Sequence, residues 1–240
     1  QISDPEVLDT ALKLFQEEME FHPDHELDTL EKTEKGVRAV WSSSRGGGDE
    51  IFEKVLVSVG RRPNVAGLDL ENADLELDDD GVPVFDPVTG RCGESTVYIA
   101  GDASDHVPLL HVAAHQGKVA GPNAAQHPDT REVRMPAGLS VTFCEPQIAT
   151  AGRGFAALKE DGVAFECGEI DWSDQGRATV MRVNRALARL YGETGTGKLL
   201  GAEMIGPSAE HLSHLLAWSI DAGHTVMDVL DRPYYHPCLE

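Results

Sequence analysis

The chain has 240 residues, of which 41% are hydrophobic and 25% charged, as in an ordinary soluble globular protein. Its 20 basic and 41 acidic residues give a formal net charge of −21, which repels a nucleic-acid backbone and an anionic membrane surface alike. No apolar run approaches the roughly eighteen residues that a membrane-spanning helix needs. Composition therefore argues against a nucleic-acid or membrane partner, and the acidic residues, spread along the chain, indicate a solvated surface.

The four cysteines, Cys92, Cys144, Cys167 and Cys238, are far apart and form neither a CxxC nor a CxxxxC motif. They predict reduced thiols in a cytoplasmic protein, with no zinc knuckle and no local redox pair. The first residue is Gln1, without an initiator Met or a signal-peptide pattern. We therefore expect that a segment was removed upstream or that the numbering begins inside a longer protein.

The first sixty residues predict a helix followed by three strands. Asp4 is placed to cap a helix that starts at Pro5 and carries apolar residues at helical spacing as far as Met19. The strand-like pieces ELDTLEKT, GVRAVWSS and IFEKVLVSVG follow, and the last, the most apolar, predicts a buried strand ending at Gly60. This order is typical of the second half of a nucleotide-binding α/β domain.

Residues 61–97 are rich in turn residues and predict a crossing segment with a short hairpin. An apolar strand from Val97 to Ala100 is then expected to stop at a Gly-Asp pair. The run from Leu109 to Gln126 predicts a helix, whose upstream end would offer unpaired backbone N–H groups to an anion or a polar ring edge.

From Met135 the pattern changes to that of a separate α+β unit. Strands are predicted near 139–144, 164–170, 186–193 and 198–205, the last two as a hairpin around TGTG. A helix capped by Ser208 is expected from about Ala209 to Ala222, and a shorter one covers TVMDVLD. The predicted fold class is thus α/β followed by α+β.

Three motifs occur in a fixed order: VSVGRRPN at 57–64, YIAGDA at 98–103 and YHPCLE at 235–240. Each is weak alone. With FCEPQIATAG at 143–152 and LLGAEMIGPSAEHL at 199–212 between the last two, they resemble the flavin-dependent pyridine nucleotide–disulfide oxidoreductases, most of all the lipoyl-dependent dehydrogenases among them. The resemblance covers essentially the whole chain.

The resemblance implies a partial Rossmann-like nucleotide-binding domain followed by an α+β dimerisation, or interface, domain. Residues 1–64 would be the C-terminal half of an NAD(P)-binding domain, 65–134 a segment of an FAD-binding domain, and 135–240 the dimerisation domain. A homodimer would then form through residues from about 135 onward, with subunit contacts expected on the helix 209–222 and the strand 198–205. The alternative is that this face packs only on the flavin domain of its own chain.

The resemblance also implies which residues bind FAD. The glycine-aspartate pair that contacts the ribityl chain corresponds to Gly101 and Asp102, and a carboxylate is a strong acceptor for a ribityl hydroxyl. In LLHVAAHQG, residues 109–117, Leu110 and His111 would present backbone N–H groups to the pyrimidine edge of the flavin. The alternatives are that Asp102 is a plain helix cap and that His111 is an ordinary packed histidine.

The GRRPN turn lies, by the same resemblance, close to bound NAD or NADP. Gly60 permits a close backbone approach to a ligand. Arg61 and Arg62 either lie near that nucleotide or hold the domain junction together.

The terminal histidine carries the predicted chemistry. The family's HPxxxE motif supplies a His that exchanges a proton with the thiol of a redox dithiol on the other subunit, a role that fits His236 because imidazole titrates near neutral pH. The orienting Glu belongs at position 241, since Glu240 is only four residues after the His. On this segment alone, a buried His donating to a backbone carbonyl is the competing hypothesis.

The family's chemistry also needs a GxGxxG for FAD, a CxxxxC and a second GxGxxG for NAD(P), and none occurs in these 240 residues. The resemblance therefore predicts the C-terminal part of an FAD-dependent NAD(P)-disulfide oxidoreductase, which passes electrons from a dithiol, a lipoyl group above all, through a disulfide and FAD to NAD⁺. The isolated chain is expected to be inactive, and to bind FAD only in the intact protein. The alternatives are a stand-alone dimerisation module and a transhydrogenase-type flavoprotein, which would need no terminal His.

Overall fold

The computed structural model describes residues 2–240, which form two compact units. The smaller unit is Leu12–Arg61, and the larger one combines the residues up to Ala11 with Arg62–Glu240. Within residues 2–240, no helix has both the length and the apolar character that crossing a bilayer requires.

Helix α1, Pro5–Glu18, begins in the larger unit and continues into the smaller one. Its start is the predicted one, because Asp4 Oδ1 accepts a hydrogen bond from the Glu6 N–H at 3.0 Å. Val7 and Ala11, one turn apart on the helix, are buried.

The smaller unit contains an antiparallel sheet of three strands in the order β1-β2-β3: β1 Glu26–Thr33, β2 Gly36–Ser42 and β3 Gly48–Phe52. Arg38, on the central strand, pairs with Asp49 at 2.6 Å and with Glu31 at 3.3 Å, which links all three strands. The predicted ribbon is confirmed.

The buried strand predicted to end at Gly60 is wrong. Strand β3 stops at Phe52, residues 53–60 form no strand, and Leu56 and Val59 are 92% and 89% exposed. A strand of a parallel sheet needs hydrogen-bonded neighbours, and in residues 2–240 this sheet ends at β3, which pairs with β2 alone. The apolar residues of this segment do not form a strand without neighbouring strands to pair with.

The segment after Arg61 has little regular structure before residue 101. An isolated bridge between Leu77 and Pro83 is the expected short hairpin. The strand predicted at Val97–Ala100 is reduced to one isolated bridge between Tyr98 and Arg91, flanked by backbone hydrogen bonds from Cys92 to Val97 at 2.9 Å and from Ile99 to Gly90 at 2.8 Å. A 3₁₀ turn then occupies residues 101–104. Helix α2 follows over Leu110–Ala125, and its two ends lie within two residues of the prediction.

The C-terminal part contains a five-stranded antiparallel sheet in the order β4-β5-β8-β7-β6. The strands are β4 Leu139–Thr142, β5 Gln147–Gly152, β6 Phe165–Asp171, β7 Leu187–Glu193 and β8 Leu199–Gly206; the helices are α3 Phe155–Glu160, α4 Gly176–Met181, α5 Ala209–Asp221 and α6 Val226–Leu230. The four predicted strands, the hairpin and the helix α5 are confirmed, whereas β5, α3 and α4 were not predicted.

The two faces of this sheet differ in character. Alternate residues of β7 and β8, such as Ala188 and Met204, form an apolar cluster against which Leu212 and Leu216 of α5 pack. The opposite face carries Arg189 and Glu203, which are direct cross-strand partners and share the same side.

The cap of α5 differs from the prediction. Ser208 is the N-cap residue but has a left-handed backbone, with φ of 54°, and its side chain makes no capping hydrogen bond. Instead, Oε1 of Gln147, from the neighbouring strand β5, accepts from the Glu210 N–H at 3.2 Å.

Candidate functional site

The candidate flavin turn is built around Gly101. The chain arrives extended at Ala100 and turns at Gly101, whose φ of 73° is a conformation that favours glycine. The Gly101 N–H donates to Gln116 Oε1 at 2.7 Å, and its carbonyl accepts from the Ser104 hydroxyl at 2.8 Å. The first bond holds the turn against the middle of α2, and the second closes the turn on itself.

Asp102 is exposed and lies inside this turn, not at the start of α2. The residues at the two N-cap positions are Ala100 for the turn and Leu109 for α2. The alternative that Asp102 serves as a plain helix cap is therefore wrong. Its position leaves the carboxylate on the surface beside Gly101.

The start of α2 offers backbone donors. Leu109 is extended and provides no side-chain cap, so the first N–H groups of the helix are not satisfied in that way. Leu110 is 88% exposed and His111 is exposed as well. The competing hypothesis of a packed His111 is thus wrong, because the ring is open to solvent at the end of an uncapped helix.

A cavity of about 310 Å³ adjoins this helix start. Three histidines, His106, His111 and His115, are among its lining residues, together with residues 135–140, Thr150 and Gly152. Nε2 of His115 is buried and has no hydrogen-bond partner within residues 2–240. A buried polar nitrogen without a partner is costly, so this atom is a candidate donor or acceptor for a bound group.

The sequence did not single out His115 or Gln116. Gln116 is 4% exposed and holds the Gly101 N–H through Oε1, while its Nε2 is buried without a partner among the described residues. The only local signal was weak: two adjacent polar residues in a helix that also contains His111, Lys118 and Asn123. The structural role of Gln116 becomes visible only in its hydrogen bond to Gly101, fifteen residues away.

His236 lies on a tail that is held on both sides. Before it, the Tyr234 hydroxyl donates to the Val229 carbonyl at 3.1 Å. After it, Gln175 Nε2 donates to the Cys238 carbonyl, and Leu239 packs on the cluster around Trp172. His236 itself is exposed, and its peptide bond to Pro237 is cis.

The hypothesis of a buried His236 bonded to a backbone carbonyl is therefore wrong. The ring is on the surface because the anchors on either side of it, and not the ring, contact the folded domain. The structure does not bring His236 to the cavity beside α2, whose lining comes from residues 106–152.

Gly60 belongs to the smaller unit. It has a φ of 98°, and a Cβ placed on it would meet no atom within 4 Å. Its surroundings are therefore open, and the glycine is required by its backbone conformation. Arg62, two residues further on and the first residue of the chain's return to the larger unit, is exposed.

None of the four cysteines forms a disulfide within this chain. Burial raises the pKa of Cys92, and burial is also the main reason that the pKa of Cys167 is raised, although Arg189 opposes it there. Since the thiolate is the reactive form, neither of these two thiols is activated at neutral pH.

Two sequence profiles of known families match the chain. The one described as pyridine nucleotide-disulphide oxidoreductase matches residues 2–117, and the one described as pyridine nucleotide-disulphide oxidoreductase, dimerisation domain, matches residues 139–240. Between them they leave only Gln1 and residues 118–138 unmatched.

Curated relatives agree with these profiles. Dihydrolipoyl dehydrogenase from Haloferax volcanii is 35% identical over 189 residues, which are 78% of this chain and 39% of the relative. Dihydrolipoyl dehydrogenase from Staphylococcus aureus is 31% identical over 214 residues, 88% of this chain and 44% of the relative. Mercuric reductase from Streptomyces lividans is 31% identical over 237 residues, 98% of this chain and 49% of the relative. The chain thus spans less than half the length of these relatives.

Solved structures show the same fold. RclA from Escherichia coli, an HOCl-induced flavoprotein disulfide reductase, has a TM-score of 0.81 at 18% identity, covering 98% of this chain and 53% of that one. LpdA from Mycobacterium tuberculosis has a TM-score of 0.80 at 22% identity, covering 98% and 51%. On the two profiles, the relatives and the motif order together, the chain belongs to the pyridine nucleotide-disulphide oxidoreductase family.

Proposed function

We propose that the chain works as the C-terminal part of an FAD-dependent NAD(P)-disulfide oxidoreductase resembling dihydrolipoyl dehydrogenase. Electrons would pass from a dithiol substrate, with a lipoyl group favoured, through a redox disulfide and FAD to NAD⁺. The single observation that carries the proposal is His236, which is exposed on a tail anchored on both sides by Tyr234 and Cys238.

His236 in this proposal is the base that takes the proton of an attacking thiol. Neutral imidazole accepts a proton near neutral pH, and a thiol must lose its proton before it can attack a disulfide. The anchored tail lets the ring meet a dithiol that another subunit supplies, at little cost in conformational entropy. A carboxylate at position 241 would orient the imidazole.

The residues around α2 fit FAD. The left-handed turn at Gly101, the uncapped start of α2 and the orphaned Nε2 of His115 supply a close backbone approach and polar partners beside one cavity. Asp102 would accept from a ribityl hydroxyl, and the N–H groups of Leu110 and His111 would bond the pyrimidine edge. When bound, FAD supplies the two-electron relay between the dithiol and the nicotinamide. Gly60 would lie against NAD or NADP.

We further propose a homodimer formed through residues from about 135 onward. The match of residues 139–240 to a dimerisation domain supports it, as do exposed apolar side chains there. Leu215 and Trp218 of α5 are 42% and 64% exposed. The subunit contacts expected on strand 198–205 are wrong, because β8 is a central strand of the sheet and is almost wholly buried.

The test is His236→Gln in a protein that joins this segment to a redox dithiol and a flavin domain. The turnover of lipoamide is expected to fall by about 10²- to 10⁴-fold, as for loss of a general base, while reduction of the flavin by NADH stays unchanged. His22→Gln, which changes an exposed histidine of the smaller unit, is the matched control and should leave both rates alone.

Unchanged lipoamide turnover in His236→Gln would contradict the proposed role. Hydride transfer between two nucleotides with no dithiol requirement would instead support the transhydrogenase alternative. The isolated 240-residue chain is expected to show no lipoamide-dependent turnover, because it has no CxxxxC pair. Turnover by that chain alone would refute the account of it as one part of the enzyme.

A further inference from the structure

A buried carboxylate of the dimerisation sheet binds the segment just before helix α1. Glu203, in the middle of β8, is fully buried and accepts from the backbone N–H and the hydroxyl of Ser3, both at 2.5 Å. It also accepts from the N–H of Asp4 at 2.9 Å and from the N–H of Phe155 at 2.8 Å. One side chain thus joins three segments.

Asp4 forms the second half of this arrangement. It is fully buried, and Oδ2 accepts from the Tyr191 hydroxyl at 2.9 Å and pairs with Arg189 Nε at 3.0 Å. Its other oxygen caps α1 through the Glu6 N–H. We call Ser3, Asp4, Arg189, Tyr191 and Glu203 the clasp.

The space around the clasp is fitted to it. A Cβ on Gly154 would lie 3.0 Å from Glu203 Oε1 and 3.1 Å from the Ser3 hydroxyl oxygen, closer than ordinary contact. The Ser3 hydroxyl also accepts from the Ala156 N–H at 3.0 Å. The start of α3 therefore closes over the same two side chains.

Burying two carboxylates is costly unless each is satisfied, and here almost every partner comes from a distant part of the chain. The pairs Ser3–Glu203 and Asp4–Tyr191 are separated by 200 and 187 residues. If Ser3 and Asp4 moved away, Glu203 would keep only the Phe155 N–H from this set. The sheet face is thus built to receive residues 3 and 4.

The clasp also joins the two family modules. Ser3 and Asp4 lie in the part that matches the oxidoreductase profile, whereas Arg189, Tyr191 and Glu203 lie in the part that matches the dimerisation domain. Helix α1, which starts at the clasp, continues into the unit Leu12–Arg61.

We propose that the clasp is a conformational latch, with Glu203 as its anchor, that holds the segment Ser3–Ala11 on the face of the dimerisation sheet that carries Arg189 and Glu203. The latch opens as a local event that leaves the sheet and α5 folded. This inference goes beyond the redox function and requires neither cofactor nor substrate.

The test is amide hydrogen exchange, followed by NMR, in Glu203→Gln of the 240-residue chain. The amides of Asp4 and Phe155 should exchange at least about tenfold faster, as expected for losing a hydrogen bond to a charged acceptor. Those of α5 should stay within about twofold of the wild-type rate. Glu166→Gln, which removes an exposed carboxylate from the nearby strand β6, is the matched control.

A milder variant covers the case in which Glu203→Gln does not fold. Ser3→Ala removes the hydroxyl between Glu203 and the Ala156 N–H, so the Ala156 amide should exchange several-fold faster. Unchanged exchange at Asp4, Phe155 and Ala156 in the folded variants overturns the latch, and so does an equal acceleration throughout α5. Because no flavin or activity is measured, failure of the latch leaves the proposed redox function standing.

Discussion

At the scale of single residues, Gly101 shows how backbone conformation sets the candidate flavin site. Its positive φ and its hydrogen bond to Gln116 determine the position of the next residue, Asp102. A side chain there would be strained twice, by the left-handed backbone and by a Cβ contact of 3.3 Å with the Cβ of Ala113.

Gly101→Ala is therefore expected to lower the free energy of unfolding by about 1–2 kcal/mol, measured by urea denaturation. Gly117→Ala is the matched control: Gly117 lies within α2 and a Cβ there would meet no atom within 4 Å. That control should gain about 0.5–1 kcal/mol, because alanine favours the helix. Equal effects of the two substitutions would show that the turn does not require glycine.

Tyr191 makes the stability of the clasp depend on pH in alkaline solution. Burial, with the charge of Glu203 and the hydrogen bond to Asp4, raises the pKa of Tyr191 far above its ordinary value. Above about pH 10 the unfolded chain loses a proton that the folded chain keeps, so the stability present below that pH falls as the pH rises.

Wild-type protein should accordingly lose about 1 kcal/mol more of its unfolding free energy between pH 9 and 11 than Tyr191→Phe does. Urea denaturation at the two pH values measures this difference. Tyr235→Phe, at a tyrosine that is 85% exposed, should behave like the wild type. An equal loss of stability in the wild type and in Tyr191→Phe would mean that Tyr191 ionises as easily in the folded protein as in the unfolded chain.

Among the helices and strands, the sequence predicted those elements whose stabilising contacts lie close together along the chain. Helix α1 with its Asp4 cap, the antiparallel ribbon, the β7–β8 hairpin and α5 all follow from periodicity and turn residues. The exposed segment 53–60 shows the limit, because its apolar residues predicted a strand whose hydrogen-bonded neighbours are absent from the described residues.

The candidate site likewise contains residues that short motifs can indicate and contacts between residues far apart in the sequence. The motif order proposes Gly101, Asp102, His111 and His236, since these lie in short continuous segments, and their roles stay predictions. It gave no sign of Gln116 holding Gly101, nor of Glu203 holding Ser3, because those contacts cross 15 and 200 residues of chain. Such contacts depend on which face of an element meets which neighbour, and composition does not encode that.

At the scale of the whole molecule, a charge of −21 opposes self-association, so a homodimer needs apolar contact to offset repulsion. The dimerisation domain offers such contact through Trp218 on α5 and through Leu230 and Tyr235 near the tail, which are 64%, 66% and 85% exposed. Salt screens like charges and should therefore strengthen the association.

Trp218→Glu is expected to shift the chain from a dimer to a monomer of 25.9 kDa, as measured by light scattering after size exclusion. Leu56→Glu places the same charge at a residue that is 92% exposed in the smaller unit and should leave the dimer intact. A wild-type monomer at high salt, or an unchanged dimer in Trp218→Glu, would contradict the proposed interface.

We propose that this chain acts as one part of a dithiol-dependent flavoenzyme. The most direct measurement is the coding sequence on either side of the segment for Gln1 to Glu240. The account predicts a GxGxxG and a CxxxxC upstream and a Glu codon at position 241, next to the motif of His236. A start codon just before Gln1 and a stop codon just after Glu240 would contradict it, and the protein would then be a dimerisation module.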